Sequence, residues 1–173
     1  MSNTSGQPWA DQIYDLLRKA KVDTFAYVPD GGHKRLIIRA NEDPEVKAVP
    51  LTTEQEGVAL QAGVHLGGSR SVLLMQSSGV GNCINMLSLI DIGRFPFLGI
   101  VTMRGEFGEG NPWQLNMGRA VQATLEAVGV HCLRAETPED VAEVTQAAIT
   151  MAFGSEMAVC ILLSQRLIGA KAF

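Results

Sequence analysis

Short runs rich in β-forming residues alternate with segments of helical spacing along almost the whole chain, and this alternation restricts the fold more than any other feature. The six candidate strands are residues 24–28, 46–50, 71–77, 97–102, 130–134 and 157–164. The candidate helices are residues 8–20, 34–40, 54–66, 84–92, 114–128 and 138–153. A regular alternation of this kind is typical of an α/β protein with a parallel sheet.

Two central runs, residues 72–75 and 97–101, are apolar at successive positions, as in strands buried on both faces. We therefore predict an α/β fold with a doubly wound, largely parallel six-stranded sheet and helices on both faces. We expect residues 1–173 to form a single domain, with a flexible N-terminus at residues 1–7. Ligands of such sheets bind beyond the carboxyl ends of the strands, so functional residues should follow them.

The charge balance argues against one class of partner. Lysine and arginine number 14 against 18 acidic residues, and the formal net charge is −4. Because no sequence-wide positive field can hold a polyanion, we expect no nucleic-acid partner. The longest apolar stretch, residues 87–103, is interrupted by Asp91, Arg94 and Pro96, and the first residues lack a basic start followed by an apolar run. We expect a soluble, cytoplasmic protein that does not enter a membrane.

The sequence lacks the spacing motifs of metal and nucleophile sites. His33, His65 and His131 lie far apart, and neither a Gly-x-Ser-x-Gly nor a His-Glu-x-x-His motif occurs. The three cysteines form no Cys-x-x-Cys pair, and we expect buried, reduced thiols. We predict no metal site in this chain.

Polar residues follow the first predicted strand. Residues 28–34, Val-Pro-Asp-Gly-Gly-His-Lys, present the carboxyl group of Asp30 and the imidazole of His33. An ordinary turn would also select Pro, Asp and Gly. A functional role and a purely structural role therefore both fit this segment.

A helix begins directly after the second predicted strand. Thr53 followed by Glu56 is a capping-box pattern, which gives Glu56 a structural role. Glu54 occupies the first helical position, where the helix dipole favours a carboxylate. The helix then carries small residues at Gly57, Ala59, Ala62 and Gly63. Small residues permit close approach of a neighbour, so we expect this helix to present a packing face.

The third predicted strand ends in the polar run 76–82, Gln-Ser-Ser-Gly-Val-Gly-Asn. A Gly-x-Gly at a helix start can bind an anion through backbone N–H groups. The dinucleotide-binding pattern would need a third glycine at Ile84, and the P-loop would need Gly-Lys followed by Ser or Thr, and neither is present. Nucleotide binding is therefore disfavoured.

A long glycine-rich connection, residues 103–114, follows the fourth predicted strand and begins near Arg104. Long connections of this kind are often functional. The alternative is a flexible surface loop in which Arg104 pairs with Glu106 or Glu109.

Taken in order, these segments resemble the pyrimidine-binding half of thiamine-diphosphate-dependent 2-oxo-acid decarboxylases. The likeness is greatest to sulfopyruvate decarboxylase alpha subunits and to the matching half of phosphonopyruvate decarboxylases, and it runs from about residue 10 to the C-terminus. The segments that carry it are residues 28–30, Glu54 with Gly63, residues 75–82 with Asn85, and residues 104–106 with Pro112 and Gln114.

The resemblance implies roles for particular residues. Glu54 would hydrogen-bond a ring nitrogen of the cofactor's pyrimidine and act as the catalytic carboxyl group, sharing a proton with that nitrogen in a dry pocket. Pro29, Gln76 and Ser77 would line the cofactor pocket. The cofactor itself would act as the electron sink for loss of carbon dioxide.

Candidates for the substrate end are Asp30, His33, Asn82 and Arg104. A sulfonate or phosphonate requires a cationic donor, and the planar fork of Arg104 suits such a group. The sequence departs from the family at residues 77–79, where Ser-Ser-Gly stands in place of the frequent Asn-Ser-Gly.

The resemblance also implies a partner. Family members hold magnesium and the diphosphate in a second domain through a Gly-Asp-Gly motif, which this sequence lacks. We therefore expect the alpha half of a split decarboxylase, with Mg²⁺ bound by a beta subunit that carries Gly-Asp-Gly. We expect further oligomerisation, with the small-residue helix after Glu54 at an interface between subunits.

Other functions stay open at this point. A non-catalytic or regulatory pyrimidine-type module would have little need for the carboxyl group of Glu54. A flavodoxin-like nucleotide or flavin domain explains the strand and helix alternation but not the ordered motifs. The sequence does not separate sulfopyruvate, phosphonopyruvate and other 2-oxo acids, nor release of an aldehyde from its ligation to an acceptor.

Overall fold

The computed structural model describes residues 8–169, so the predicted flexible N-terminus lies outside the described residues. The strands are β1 (Val22–Tyr27), β2 (Lys47–Pro50), β3 (Arg70–Gln76), β4 (Phe97–Thr102), β5 (His131–Ala135) and β6 (Ala158–Leu163). The helices are α1 (Pro8–Lys19), α2 (Lys34–Glu42), α3 (Glu54–Leu66), α4 (Ser77–Gly93), α5 (Leu115–Ala127), α6 (Asp140–Gly154) and the short α7 (Gln165–Ile168).

The strands form one sheet of six, all parallel, in the order β2-β1-β3-β4-β6-β5. This arrangement confirms the predicted doubly wound α/β fold. The chain passes from β1 to β2 on one side and later to β3 on the other side of β1. The carboxyl ends of β1 and β3 therefore flank a crevice of the kind in which such sheets bind ligands.

Helices cover both faces of the sheet, and β3 shows this directly. Val72 and Leu74 pack in a core with α1, α2 and α6. Leu73 and Met75 point the other way and pack with α3, α4 and α5. All four side chains are fully buried, and burial on both faces is the reason why this run is apolar at every position.

Helix α4 begins at Ser77, seven residues before the predicted start at residue 84. Residues 78–83 lie between the predicted strand, which ends at residue 77, and the predicted helix, and they belong to the observed helix. Gly79 lies in this added part of α4. A Cβ there would overlap the carboxyl group of Glu54, so the glycine is required by a neighbour and not by a turn.

The predicted capping box at the start of α3 was half right. Thr53 is the N-cap residue, but its side chain makes no capping hydrogen bond. The carboxylate of Glu56 does fold back, and its Oε2 accepts a hydrogen bond from the backbone N–H of Thr52 at 2.9 Å. Glu56 therefore caps the chain one residue earlier than the pattern predicted.

Within residues 8–169, every helix is too short or too polar to traverse a lipid bilayer.

Candidate functional site

Asp30, which follows β1, is hydrogen-bonded to residues at the carboxyl ends of β3 and β4, the next two strands of the sheet. Its Oδ1 accepts a hydrogen bond from Nε2 of Gln76, at the end of β3, at 2.9 Å. Its Oδ2 accepts from the hydroxyl of Thr102, at the end of β4, at 2.7 Å and from the backbone N–H of Gly32 at 3.0 Å. The segment after β1 is therefore a fixed part of the crevice, built from strand ends that lie far apart in the sequence.

His33 is fully buried and lies close enough to Asp30 to interact with its charge. Its Nε2 donates to the carbonyl oxygen of Met75 at 3.1 Å, while Nδ1 has no hydrogen-bond partner among the described residues. Burial lowers the pKa of His33 below its ordinary value, although Asp30 and two backbone carbonyl groups act in the opposite direction. The imidazole is therefore neutral at neutral pH.

The pKa of Asp30 is lowered, whereas burial ordinarily raises the pKa of a carboxyl group. Burial alone would raise the pKa of Asp30, but nearby His33 and three hydrogen bonds outweigh it and lower the pKa. The crevice therefore holds a carboxylate with both oxygens occupied beside a neutral imidazole.

Glu54 lies where the first turns of α3 and α4 meet. It is the first residue of α3 and is only 8% exposed. Its carboxyl group packs against Gly79, and its Oε2 accepts a hydrogen bond from Nδ2 of Asn82 at 2.8 Å. Oε1 has no donor among the described residues. The helix start of α4 offers a favourable end of the helix dipole to this carboxylate.

The thiol nearest to Glu54 is inert. Burial and the carboxylate of Glu54 together raise the pKa of Cys83 to about 12. All three cysteines are free, as predicted, although Cys132 is only half-buried. A protonated, buried thiol is neither a nucleophile nor a metal ligand.

Arg104 is buried and engaged in an ion pair. Its Nε and Nη2 each lie 2.6 Å from a carboxylate oxygen of Glu109. These bonds, with help from further donors, lower the pKa of Glu109 to about 2 although burial acts against them. Of the two partners that the sequence left open, the structure selects Glu109. In this conformation the guanidinium fork faces Glu109, and its role in binding an anion stays a prediction.

Gln165, which no sequence motif marks, holds the loop after β4 in place. Its buried Oε1 accepts from the backbone N–H groups of Glu106 and Phe107 at 3.1 and 3.0 Å, and its Nε2 donates to Glu109 at 2.9 Å. The connection is therefore hydrogen-bonded to the first residue of α7, just beyond β6, while Phe107 and Trp113 within it are exposed.

The other predicted site residues differ in their burial and in their contacts. Ser77 is fully buried, and its Oγ accepts from the backbone N–H of Arg104 at 3.1 Å, which joins α4 to the loop. Pro29 is exposed just beyond the carboxyl end of β1. Asn82 donates to Glu54, and its predicted place at the substrate end stays a prediction. Within residues 8–169, no three His, Cys, Asp or Glu side chains are arranged to hold a metal ion.

No protein-family model matches the chain, but curated relatives do. It is 32% identical to the sulfopyruvate decarboxylase subunit alpha of Methanococcus maripaludis over 155 residues, which are 89% of this chain and 93% of that protein. It is 34% identical to the same subunit of Methanocaldococcus jannaschii over 129 residues, 74% of this chain and 76% of the relative. It is 40% identical to a phosphonopyruvate decarboxylase of Streptomyces viridochromogenes over 107 residues, 61% of this chain and 27% of that longer protein.

A solved structure shares the fold. The 2-oxoglutarate:ferredoxin oxidoreductase of Magnetococcus marinus, with 2-oxoglutarate, coenzyme A and succinyl-CoA bound, superposes with a TM-score of 0.73. The match covers 92% of this chain and 29% of that chain at 16% sequence identity. At this identity the likeness concerns the fold alone.

Proposed function

Because this chain belongs to the family of sulfopyruvate decarboxylase alpha subunits, we propose that it is the pyrimidine-binding alpha subunit of a split, thiamine-diphosphate-dependent decarboxylase. The substrate is sulfopyruvate or phosphonopyruvate, and the products are the corresponding aldehyde and carbon dioxide. Residues 1–173 act as one pyrimidine-binding domain in the cytoplasm. The reaction and the subunit in the names of the relatives support this proposal.

The observation that carries the proposal is the state of the Glu54 carboxyl group. It is almost buried, one oxygen is fixed by Asn82, and Oε1 is left without a donor among the described residues. A carboxyl oxygen of this kind fits a ring nitrogen that carries a proton. Because Oε1 has no donor among the described residues and is not sealed from solvent, it can accept a hydrogen bond from a ligand with a matching donor.

The residues of this chain would hold and orient the cofactor and keep a proton at its pyrimidine ring. Thiamine diphosphate, when bound, supplies a carbon nucleophile for the substrate carbonyl and an electron sink for the loss of carbon dioxide. Glu54 holds a proton at the pyrimidine ring nitrogen through Oε1. Its burial strengthens that interaction because water does not screen it.

The crevice beside Glu54 supplies the remaining contacts. Pro29, Gln76 and Ser77 border the cofactor. Asp30 and His33 stand at the substrate end, where the fixed carboxylate orients the segment after β1. Arg104 contacts the sulfonate or phosphonate through N–H groups that Glu109 does not take, and the bidentate pair fixes the orientation of its fork.

The partner is a beta subunit that carries Gly-Asp-Gly and binds the diphosphate with Mg²⁺. The naming of the relatives as alpha subunits supports a partner of this kind. The small residues of α3 differ in their surroundings. Gly57 packs against the side chain of Leu73 within this chain, whereas Gly63 is exposed. At the far ends of α3 and α4, Leu66 is 87% and Ile92 80% exposed. We assign this α3–α4 surface to the interface between subunits.

The test is purification of the chain from its own host with a mild tag, followed by identification of the co-purifying chains and an assay of the complex. We expect a second chain with Gly-Asp-Gly and release of carbon dioxide from sulfopyruvate or phosphonopyruvate that requires thiamine diphosphate and Mg²⁺. A homo-oligomer that releases no carbon dioxide from any 2-oxo acid would contradict the proposal and favour a non-catalytic module.

A further inference from the structure

We propose that the loop after β4, residues 103–114, is a docking site for the partner subunit that completes the cofactor site, with Trp113 as its anchor. This inference rests on the proposed function only for the identity of that partner. The side chain of Trp113 is 82% exposed, and Phe107 in the same loop is 50% exposed. This loop surface is separate from the α3–α4 surface, which holds the other large exposed apolar side chains of residues 8–169.

Two glycines close the base of this loop. A Cβ at Gly105 would overlap the carbonyl oxygen of Gln114, and a Cβ at Gly118, on α5, would overlap the carbonyl oxygen of Arg104. Because neither glycine has a Cβ, the two ends of the loop touch along their backbones. Compact surface loops with closed ends are often functional, and the closed base fixes the shape of this one.

The inside of the loop is filled by the carboxylate of Glu109. It accepts hydrogen bonds from Nε2 of Gln165 at 2.9 Å and from the backbone N–H of Asn111 at 2.9 Å. Asn111 in turn caps the short 3-10 helix Pro112–Gln114, because its Oδ1 accepts from the backbone N–H of Trp113 at 3.1 Å. The backbone of Trp113 is therefore fixed within this chain, while its indole stays in solvent.

A tryptophan held in this way suits a protein interface. Tryptophan is enriched among the few residues that supply most of the free energy of binding at interfaces. Because the backbone of the loop is already ordered, binding loses less conformational entropy than it would for a mobile segment. Phe107 adds a second aromatic ring, and Cζ of Arg166 lies 4.9 Å from the centre of that ring. The loop surface therefore offers aromatic side chains beside a cation.

The position of the loop indicates which protein binds there. The loop follows β4, so it lies at the carboxyl end of the sheet, as do Asp30 after β1 and Glu54 at the start of α3. The sequence lacks the Gly-Asp-Gly motif that holds the diphosphate in the family, so the subunit that carries this motif has to reach the same end of the sheet. A second copy of this chain would not bring the motif. The occupant is therefore the diphosphate-binding subunit.

The first test follows Trp113 by ¹⁹F NMR in the full chain labelled with fluorotryptophan. The chain has two tryptophans, and Trp9 is only 5% exposed. The resonance of Trp113 is assigned by its loss in Trp113→Phe. In the chain alone we expect its chemical shift to differ between H₂O and D₂O, because the indole is in solvent. In the complex with the unlabelled partner chain that co-purifies from the host, we expect this difference to disappear.

The second test measures the Kd between the two purified chains by calorimetry. We expect Trp113→Ala to raise the Kd by about 30-fold, as for an anchor residue of an interface. The variant should fold with an unchanged Tm, because the indole is exposed. Gln122→Ala, exposed on α5, is the matched control and should leave the Kd unchanged.

The outcomes separate the docking site from the proposed function. A Trp113 resonance that keeps its solvent dependence in the complex, or a Kd unchanged in Trp113→Ala, would overturn the proposal. Loss of the solvent dependence in the chain alone as its concentration rises would overturn it too, by assigning the loop to a second copy. Decarboxylation by a complex in which Trp113 stays exposed would remove the docking site and retain the proposed function. A shielded Trp113 in a complex that releases no carbon dioxide would support the docking site while the proposed function fails.

Discussion

Replacing Gly79 by alanine should separate activity from stability. A Cβ at this position would lie 2.6 Å from Cγ of Glu54 and closer still to the carboxyl group, whereas ordinary contact begins at 3.4 Å. The Glu54 side chain must therefore move by roughly 1 Å, and a misplacement of that size in a catalytic group can cost about 10²-fold in rate. Overpacking costs about 1–3 kcal/mol, while the better helix propensity of alanine returns about 1 kcal/mol. The chain should stay folded, with a net loss of stability of at most about 2 kcal/mol.

The assay compares kcat with thermal unfolding for Gly79→Ala and a control, Gly81→Ala. A Cβ at Gly81 meets only the flexible end of Met117, with Sδ at 3.1 Å, so this variant gains helix propensity without touching Glu54. We expect Gly81→Ala to keep most of the activity and Gly79→Ala to lose about 99% of it while its Tm changes by a few degrees. Activity of Gly79→Ala within about threefold of the wild type would refute the reasoning that Gly79 places Glu54.

Two further predictions concern the loop after β4 and the subunit interface. Glu109→Gln leaves the buried Arg104 without its partner, so it should lower the free energy of unfolding by about 3 kcal/mol at pH 7, measured by urea titration. The control is Glu45→Gln, which removes the exposed partner of Arg18 and should cost under about 1 kcal/mol. The pKa of Glu109 in the folded protein is lowered to about 2, so the stability difference between wild type and Glu109→Gln should persist above about pH 4.5 and shrink as the pH falls toward 2. A stability difference that does not change with pH would contradict the ion-pair argument. Gly63→Arg should fold, since a Cβ there meets nothing within 4 Å, yet it should fail to co-purify with the partner subunit. Gly154→Arg, on α6 in the opposite layer, should assemble normally, and intact assembly of both variants would remove the α3–α4 surface from the interface.

The fold could be predicted from the sequence because each strand and helix is marked by a pattern of neighbouring residues. The strands of the sheet could be found in β-rich runs, and the run 72–75 is apolar at each position because both of its faces are buried. Glu54 could be placed at the start of a helix for the same reason, since Thr53 and Glu56 mark that start in the sequence. The resemblance to sulfopyruvate decarboxylase alpha subunits, stated from four ordered segments, is confirmed by the relatives.

The contacts of the site could not be predicted in the same way because they depend on distant parts of the chain. Gly79, in the first turns of α4, meets the side chain of Glu54, which lies 25 positions earlier in the sequence. Arg104 had two plausible acidic partners in the sequence, and the choice of Glu109 follows from its burial beside Gln165, which lies 56 positions later. No local pattern encodes either contact.

The measurement that tests the central claim most directly is kcat of the assembled enzyme with Glu54→Gln beside Glu56→Gln. Both substitutions replace a carboxylate by an amide in the first turn of α3, but only Glu54 is buried against Gly79 and Asn82. We predict that Glu54→Gln lowers kcat by about 10²-fold or more, whereas Glu56→Gln stays near the wild type. Equal activity of the two variants would contradict the assignment of Glu54 as the group that holds the proton at the cofactor.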